Sequence, residues 1–541
     1  MKREVLPTTH YASEETIENL TPSAAAHSRR YLFFTVFVGG MSTLAVEFVT
    51  SRMLQTVYGT SNIVWANVIG LVLLFLALGY FIGGKVADKR PSFTLFYGIV
   101  TFAGFCSIFF LLMTSLILRQ AAVALASLNI GAIISSLIGV VVAMAVPVTL
   151  LGFMSPFAIR LAVHDVDDAG RTSGQIYAIS TIGSILGVYL PVLVVIPTAG
   201  TRLAALIFGS ILLLTGLVGL WQVRPRPALV ATLLALLILP LLWPLTQGNI
   251  KAYEGQLFEG ESSYNYVQVV RLEDCNYLLL NEGQAYHSYY CDGGRVPRIS
   301  VWSIMIAAPY YNENPVVERA AVVGLAAGTI PKQFTRVFGP IPIDGIEIDP
   351  LIVAVGRDFF NMTEPNLNVI VGDGRYQFNL LDGPYDVVTL DAYKVPYIPW
   401  HLTTQDYFEE IRERLTPTGV VAVNVGRAPQ DRRLVEAITA TLLEVYPTVH
   451  AIDIPATLNT VLVATMQPTT AETLRQNLAS LPVDADPLLV AALETAVTYT
   501  VPAVPGPVIF TDQRAPVETI VDSLVLRYLL QEGLVGLPGL E

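Results

Sequence analysis

The stretch Val322-Val323-Gly324-Leu325-Ala326-Ala327-Gly328-Thr329-Ile330 decides the fold. Two β-branched residues lead into small ones and then into a helix-forming run, the pattern of a strand that turns through glycine into a helix. The small residues Gly324 to Gly328 let backbone amides and a helix N-terminus approach a ligand. Working outward, apolar strand-like runs at 320–323, 342–348, 367–371, 385–390 and 419–425 alternate with helical patterns such as 350–359 and 404–415. That alternation predicts a mainly parallel, doubly wound, Rossmann-like sheet. Upstream, residues 262–291 alternate with strand periodicity, and Glu282-Gly283 reads as the turn of a β-hairpin.

Ligands of such sheets bind at the carboxyl ends of the strands. Four strand ends carry suitable residues: the Gly324–Gly328 loop, Glu347 about twenty residues on, Asp373 between Gly372 and Gly374, and Asp391 in Asp391-Ala392-Tyr393-Lys394. An acid at the second strand end suits ribose hydroxyls. Asp and Gly also cap helices and make turns, which is the structural alternative for each of them.

The rest of the chain belongs to a different solvent. Of 541 residues 53% are hydrophobic and 14% charged, against about 25% charged in an ordinary soluble domain. Residues 1–250 carry 14 Lys and Arg against 9 Asp and Glu, and the remainder 18 against 35. Residues 1–28 are polar and lack the apolar core of a signal peptide. Seven apolar runs follow, at 31–54, 63–84, 94–118, 130–153, 174–197, 203–222 and 228–246, each near the roughly 20 residues that span a bilayer. An integral protein of a bacterial-type plasma membrane is expected.

Eleven Lys and Arg near the span ends fall on the side of the N-terminus and four on the other (Arg52, Arg119, Arg202 and Lys251). The asymmetry predicts a cytoplasmic N-terminus, and seven spans then put the part after residue 250 outside. A missed or extra span reverses that side. Glu47 lies inside the first span, where a carboxylate marks either a pathway or a structural pair between helices. Gly79, Gly83, Gly84, Gly174, Gly183 and Gly187 are read as helix-packing positions, and Cys106 as a packed thiol. A three-residue turn at 282–284 brings Cys275 opposite Cys291. A disulfide there favours the outside location, and two reduced thiols are the alternative.

With these residues assembled, the second half resembles the spermidine synthase (polyamine aminopropyltransferase) family. The matching stretches are Glu261–Tyr266, Leu280–Gln284, Gly324–Gly328, Gly345–Pro350, Gly372–Gly374 and Tyr385–Asp391, so the resemblance covers about residues 255–430. The whole layout resembles bacterial fused transporter-like/spermidine synthase membrane proteins. The resemblance implies aminopropyl transfer from decarboxylated S-adenosylmethionine to a polyamine. It implies that Glu347 holds the ribose, Asp373 lies near the adenine amino group, Gln284 contacts the nucleoside, and Asp391 removes the proton of the attacking amine. Gly324 and Gly328 complete the implied donor site.

Two departures stand out. The family's glycine loop carries an Asp, absent from Gly324–Gly328. Its catalytic turn reads Asp-Ser-Ser-Asp, where this chain has Asp391-Ala392-Tyr393-Lys394. Both changes fall on the handling of cationic groups. Residues 395–404 resemble a substrate-gating loop, so Tyr286, Tyr393, Lys394, Tyr397 and His401 are candidates for gating; His401 is readable as an acid/base and, more readily, as a surface or capping residue. No spacing suits a metal, no loop suits a phosphate, and no basic patch suits nucleic acid. The expected partners are the lipid bilayer and a small polyamine or nucleoside, and a homo-oligomer is compatible with the sequence. The expected layout is a polar segment 1–30, a transmembrane domain 31–250, a hairpin subdomain 251–317 and a Rossmann-like domain 318–541. Two alternatives stand beside it: a non-enzymatic binding domain coupled to a transporter or sensor, and another S-adenosylmethionine-dependent transferase.

Overall fold

The computed structural model describes residues 22–58, 62–127, 132–163, 165–246, 249–251, 253–281, 285–296, 299–393 and 397–532. The expected hairpin turn 282–284 with Gln284, and Lys394 of the gating stretch, lie outside the described residues. The chain forms two compact units, one carrying most of the apolar helices (within 1–54, 66–120 and 137–248) and the other residues 249–541 together with the segments 55–65 and 121–136.

The first unit contains α1 (Pro22–Tyr58), α2 (Asn62–Lys89), α3 (Phe93–Ser127), α4 (Ala132–Gly152), α5 (Met154–Ala162), α6 (Ala169–Leu190), α7 (Ile196–Val223) and α8 (Pro225–Leu242). Among the described residues, six helices are long and apolar enough to cross a membrane. The expected runs 174–197 and 203–222 fall in one 55-residue stretch, Ala169–Val223. Gly200 leaves helical geometry inside that stretch, at φ 81° and ψ 164°.

Glycine lets the helices approach to backbone contact. A Cβ on Gly183 or Gly187 would sit 2.0 or 2.1 Å from the carbonyl oxygens of Phe37 and Met41, which locks α6 onto α1. Gly79 meets the Thr149 carbonyl at 2.3 Å and Gly83 the Phe153 Cα at 2.7 Å, joining α2 to the end of α4. Gly84 and Gly174 make no such approach: the nearest atom to a Cβ on Gly84 lies 3.9 Å away, and Gly174 has nothing within 4 Å. Cys106 is buried, as its place in an apolar helix requires.

The second unit opens with a four-stranded antiparallel sheet in chain order: β1 (Gln256–Glu261), β2 (Tyr266–Leu272), β3 (Cys275–Leu280) and β4 (Tyr286–Cys291). The expected hairpin is its β3–β4 pair. Cys275 and Cys291 are register partners and form a disulfide. The short α9 (Val301–Met305) leads to the main sheet, of strands β5 (Ala320–Val323), β6 (Ile343–Glu347), β7 (Leu367–Val371), β8 (Tyr385–Leu390), β9 (Leu415–Gly426), β10 (Thr448–Asp453), β11 (Asn459–Thr465) and β12 (Thr500–Val501).

Their spatial order is β12-β10-β11-β9-β8-β5-β6-β7. The strands from β5 to β9 pair in parallel, whereas β9–β11, β11–β10 and β10–β12 pair antiparallel. The sheet is therefore mixed. Ala320 and Val322 point into one buried cluster and Ala321 and Val323 into the other, all four fully buried. That is why β5 reads as a continuous apolar run rather than an alternating one. Chain order reverses at β5, whose neighbours are β6 and β8. Such a switch point leaves a crevice at the carboxyl ends of the strands.

Candidate active site

Five strand ends meet at that crevice. Gly324, directly after β5, has φ +89°, and a Cβ there would lie 2.5 Å from the carbonyl carbon and oxygen of Asp391. Only glycine lets the two turns pass at this distance. The Asp391 amide donates to the Val323 carbonyl at 2.9 Å, which ties the β5 and β8 ends together. On the other side, a Cβ on Gly374 would meet Val323 Cγ1 at 2.7 Å.

The glycine loop uses its amides internally. Gly324 and Leu325 donate to the Ile346 carbonyl, and Gly328 to that of Leu325. Ala326, held at a left-handed φ of +48°, donates to Glu347 Oε2 at 2.8 Å. Ala327 donates to Ser288 Oγ at 3.0 Å. All five amides of the loop thus have acceptors within the protein, and Gly324 and Gly328 let neighbouring protein atoms approach closely.

Glu347 ends β6 and is buried. Its carboxylate accepts from the amides of Ala326 and Asp349. Burial pushes its acid up to about 7, and those amides hold it back from rising further. Asp349, next but one, is fully buried and accepts from Ser262 Oγ at 2.6 Å, Asn265 Nδ2 at 2.9 Å and the Leu351 amide at 2.9 Å. It caps α11 (Pro350–Phe359) and fastens the four-stranded sheet to the acid-bearing loop.

Asp373 caps α12 (Gly374–Asn379) through the Tyr376 amide at 3.0 Å, and its second oxygen lies 3.1 Å from His401 Nε2. His401 is thereby joined to a strand-end acid rather than lying free on the surface. The next residue, Arg375, is bound by Glu410 and by Asp512, whose Oδ1 lies 2.7 Å from Nη1. The distant segment around Phe510 thus holds the α12 turn in place.

Asp391 is the centre of the arrangement. Its Oδ2 accepts from the Trp302 indole at 2.8 Å and its Oδ1 from Asn424 Nδ2 at 2.8 Å. Burial raises its acid to about 6, and the two neutral donors hold it back. They also fix the carboxylate's orientation while each oxygen keeps a free lone pair. The Tyr289 ring packs against Trp302 at 5.5 Å, and Gln333 donates to the Tyr289 hydroxyl. Tyr393 donates to the Asn424 carbonyl at 3.0 Å, and burial raises its phenol.

The remaining gating candidates separate. Tyr397 is buried in the core, and its hydroxyl donates to Asp522 of the helix Val517–Glu532. Tyr286 packs against Tyr277 with ring centroids 4.4 Å apart and planes tilted by 37°, at the margin of the core cluster that contains Trp302. Two residues of the site were missed in the sequence. Asn424 is a polar residue inside the apolar run of β9 at its carboxyl end, a signal that was available. Trp302 had no local signal. No cluster of potential metal ligands occurs among the described residues.

No family model matches the chain. It is 30% identical over 206 residues to the probable polyamine aminopropyl transferase of Bifidobacterium longum, covering 37% of this chain and 45% of that one. It is 32% identical over 115 residues to the polyamine aminopropyltransferase of Vibrio vulnificus, covering 20% of this chain and 38% of the relative. The chain thus spans less than half the length of either relative. Among solved structures, a probable spermidine synthase from Corynebacterium glutamicum aligns with a TM-score of 0.37 and 19% identity, over 42% of this chain and 88% of that one.

Proposed function

We propose that the C-terminal half, which is homologous to the spermidine synthases and polyamine aminopropyltransferases, transfers an aminopropyl group from decarboxylated S-adenosylmethionine to an amine. The single observation that carries this reading is Asp391: a buried carboxylate at the switch point, oriented by Trp302 and Asn424 and flanked by the loop that Glu347 organises. The amine nitrogen attacks the aminopropyl carbon bonded to sulfur. The new C–N bond forms as the C–S bond breaks, the sulfur leaves as the neutral thioether of methylthioadenosine, and the amine proton passes to Asp391. A carboxylate with its acid near 6 is ionised at neutral pH and ready to accept that proton.

Glu347 accepts from the ribose hydroxyls, and Asp373, with His401 behind it, faces the adenine amino group. The glycine loop suits this donor because a sulfonium nucleoside presents no phosphate that would need the loop's internally bonded amides.

The apolar half anchors the protein in a membrane. The helix broken at Gly200 serves as two crossings, which makes seven: at about 1.5 Å per residue its 55 residues far exceed a hydrocarbon core about 30 Å thick. With the N-terminus cytoplasmic, the second half then lies outside, in keeping with the Cys275–Cys291 disulfide. In that location the donor must be supplied from outside the cytosol.

The test combines donor binding and turnover. Purified full-length protein is titrated with decarboxylated and with ordinary S-adenosylmethionine, and the amine products are identified by mass. Aminopropylated product that disappears in Asp391→Asn supports the proposal. A methylated product assigns the site to a methyltransferase, and binding without turnover to a sensor or transport module. A reporter fused after residue 541 fixes the side of the membrane.

A further inference from the structure

We propose that the membrane unit holds a second binding site, for the ammonium group of a small alkylamine, in a cavity one helical turn from Glu47. The cavity has a volume of about 90 Å³, near that of three water molecules at about 30 Å³ each. It lies among α1, α2, α4, α5 and α6, and Thr43, Tyr80, Ser155, Ser180 and Ser184 bring five hydroxyls to it.

Two of these hydroxyls fix the polarity of the ligand. Thr43 donates to the Gly39 carbonyl at 2.8 Å and Ser184 to the Gly40 carbonyl at 3.2 Å. Their protons are used on the backbone, so these two oxygens are left as acceptors, while Tyr80, Ser155 and Ser180 can donate or accept. Two fixed acceptors with a carboxylate one turn away favour a ligand that donates. The other walls are apolar, with Leu76 and Met154 among them. That mixture suits an ammonium on a short alkyl stem better than a bare ion, which needs oxygens all round.

The counter-charge stands on the same helix. At 100° per residue, Glu47 falls on the face of α1 that carries Gly40, Thr43 and Leu44, one turn beyond them. One further turn along the same stripe, Thr50 is fully buried and its hydroxyl has no hydrogen-bond partner. A carboxylate and an unpaired hydroxyl inside an apolar bundle are costly without a partner cation. The close α1–α6 contact at Gly40, where a Cβ would meet the Ser180 carbonyl at 2.1 Å, makes the cavity wall rigid. The inference is independent of the reaction assigned to the second half.

The test is calorimetric titration of full-length protein in lipid nanodiscs with n-propylammonium chloride, with sodium chloride and sodium propionate as controls. The expected result is saturable binding of propylammonium that weakens roughly tenfold or more in Glu47→Gln. Thr43→Val and Ser184→Ala keep the charge and should each weaken it several-fold. Binding that survives Glu47→Gln undiminished overturns the proposal. So does sodium binding in place of propylammonium. If Glu47→Gln fails to fold, unchanged affinity in both hydroxyl variants is equally decisive.

Discussion

Asp391→Asn should make the protein more stable while it abolishes turnover. The acid of Asp391 is raised from 3.8 to about 6 by burial. An acid raised on folding holds its proton more tightly in the folded chain than in the unfolded one. Between about pH 4 and 6 the unfolded chain therefore ionises first, and stability falls as pH rises through that window. Above about 6 the full cost is present, and the shift corresponds to about 3 kcal/mol. Asparagine keeps an acceptor for the Trp302 indole and removes the buried charge. Lost charge-assisted hydrogen bonding to Trp302 and Asn424 offsets part of the gain, leaving about 1–2 kcal/mol. The assay is urea unfolding of full-length protein in detergent, with the transition of the second unit followed by tryptophan fluorescence at pH 8 and pH 4. A gain at pH 8 that vanishes at pH 4 is expected. A variant less stable at pH 8, or equally stabilised at both, refutes the claim that burial of the charged form is the dominant influence on Asp391.

Other consequences follow from the same geometry. Turnover of the parent protein should fall as pH drops through about 6, because a protonated Asp391 cannot accept the amine proton; a flat profile from pH 5 to 8 removes it as the base. Donor affinity should rise as pH increases through about 7, where Glu347 ionises and becomes the stronger acceptor for hydroxyls, as read by calorimetry. Gly324→Ala combines a left-handed backbone, costing about 1–2 kcal/mol for an L-residue, with a Cβ 2.5 Å from the Asp391 carbonyl. The displaced turn should lower turnover about a hundredfold, more than donor affinity. Asp349→Ala leaves Ser262, Asn265 and a helix amide without their acceptor, and should cost roughly 3–5 kcal/mol in urea unfolding.

Much of the site was legible because a doubly wound sheet places ligand-facing residues at fixed points of a periodic pattern. Glu347, Asp373 and Asp391 each stand at or just past the carboxyl end of a strand, at the crevice. Asn424 lies near the carboxyl end of the next strand, β9. Trp302 and the Arg375–Asp512 pair depend on contacts across 89 and 137 residues, which no local pattern encodes. Strand direction was also hidden, since the buried apolar runs of β9 and β11 read alike whichever way they pair. In the other unit, seven apolar runs were visible, but not that Gly200 interrupts one continuous 55-residue helical stretch. Tyr397 looked like a gate by its aromatic neighbours. Only the tertiary contact with Asp522 shows it to be anchored.

The most direct measurement is product analysis of full-length protein incubated with decarboxylated S-adenosylmethionine and putrescine, beside Asp391→Asn in parallel. The account predicts spermidine and methylthioadenosine in equal amounts from the parent protein and neither from a variant that still binds the donor. A parent protein that binds the donor yet releases neither product, or an Asp391→Asn variant with undiminished turnover, contradicts it.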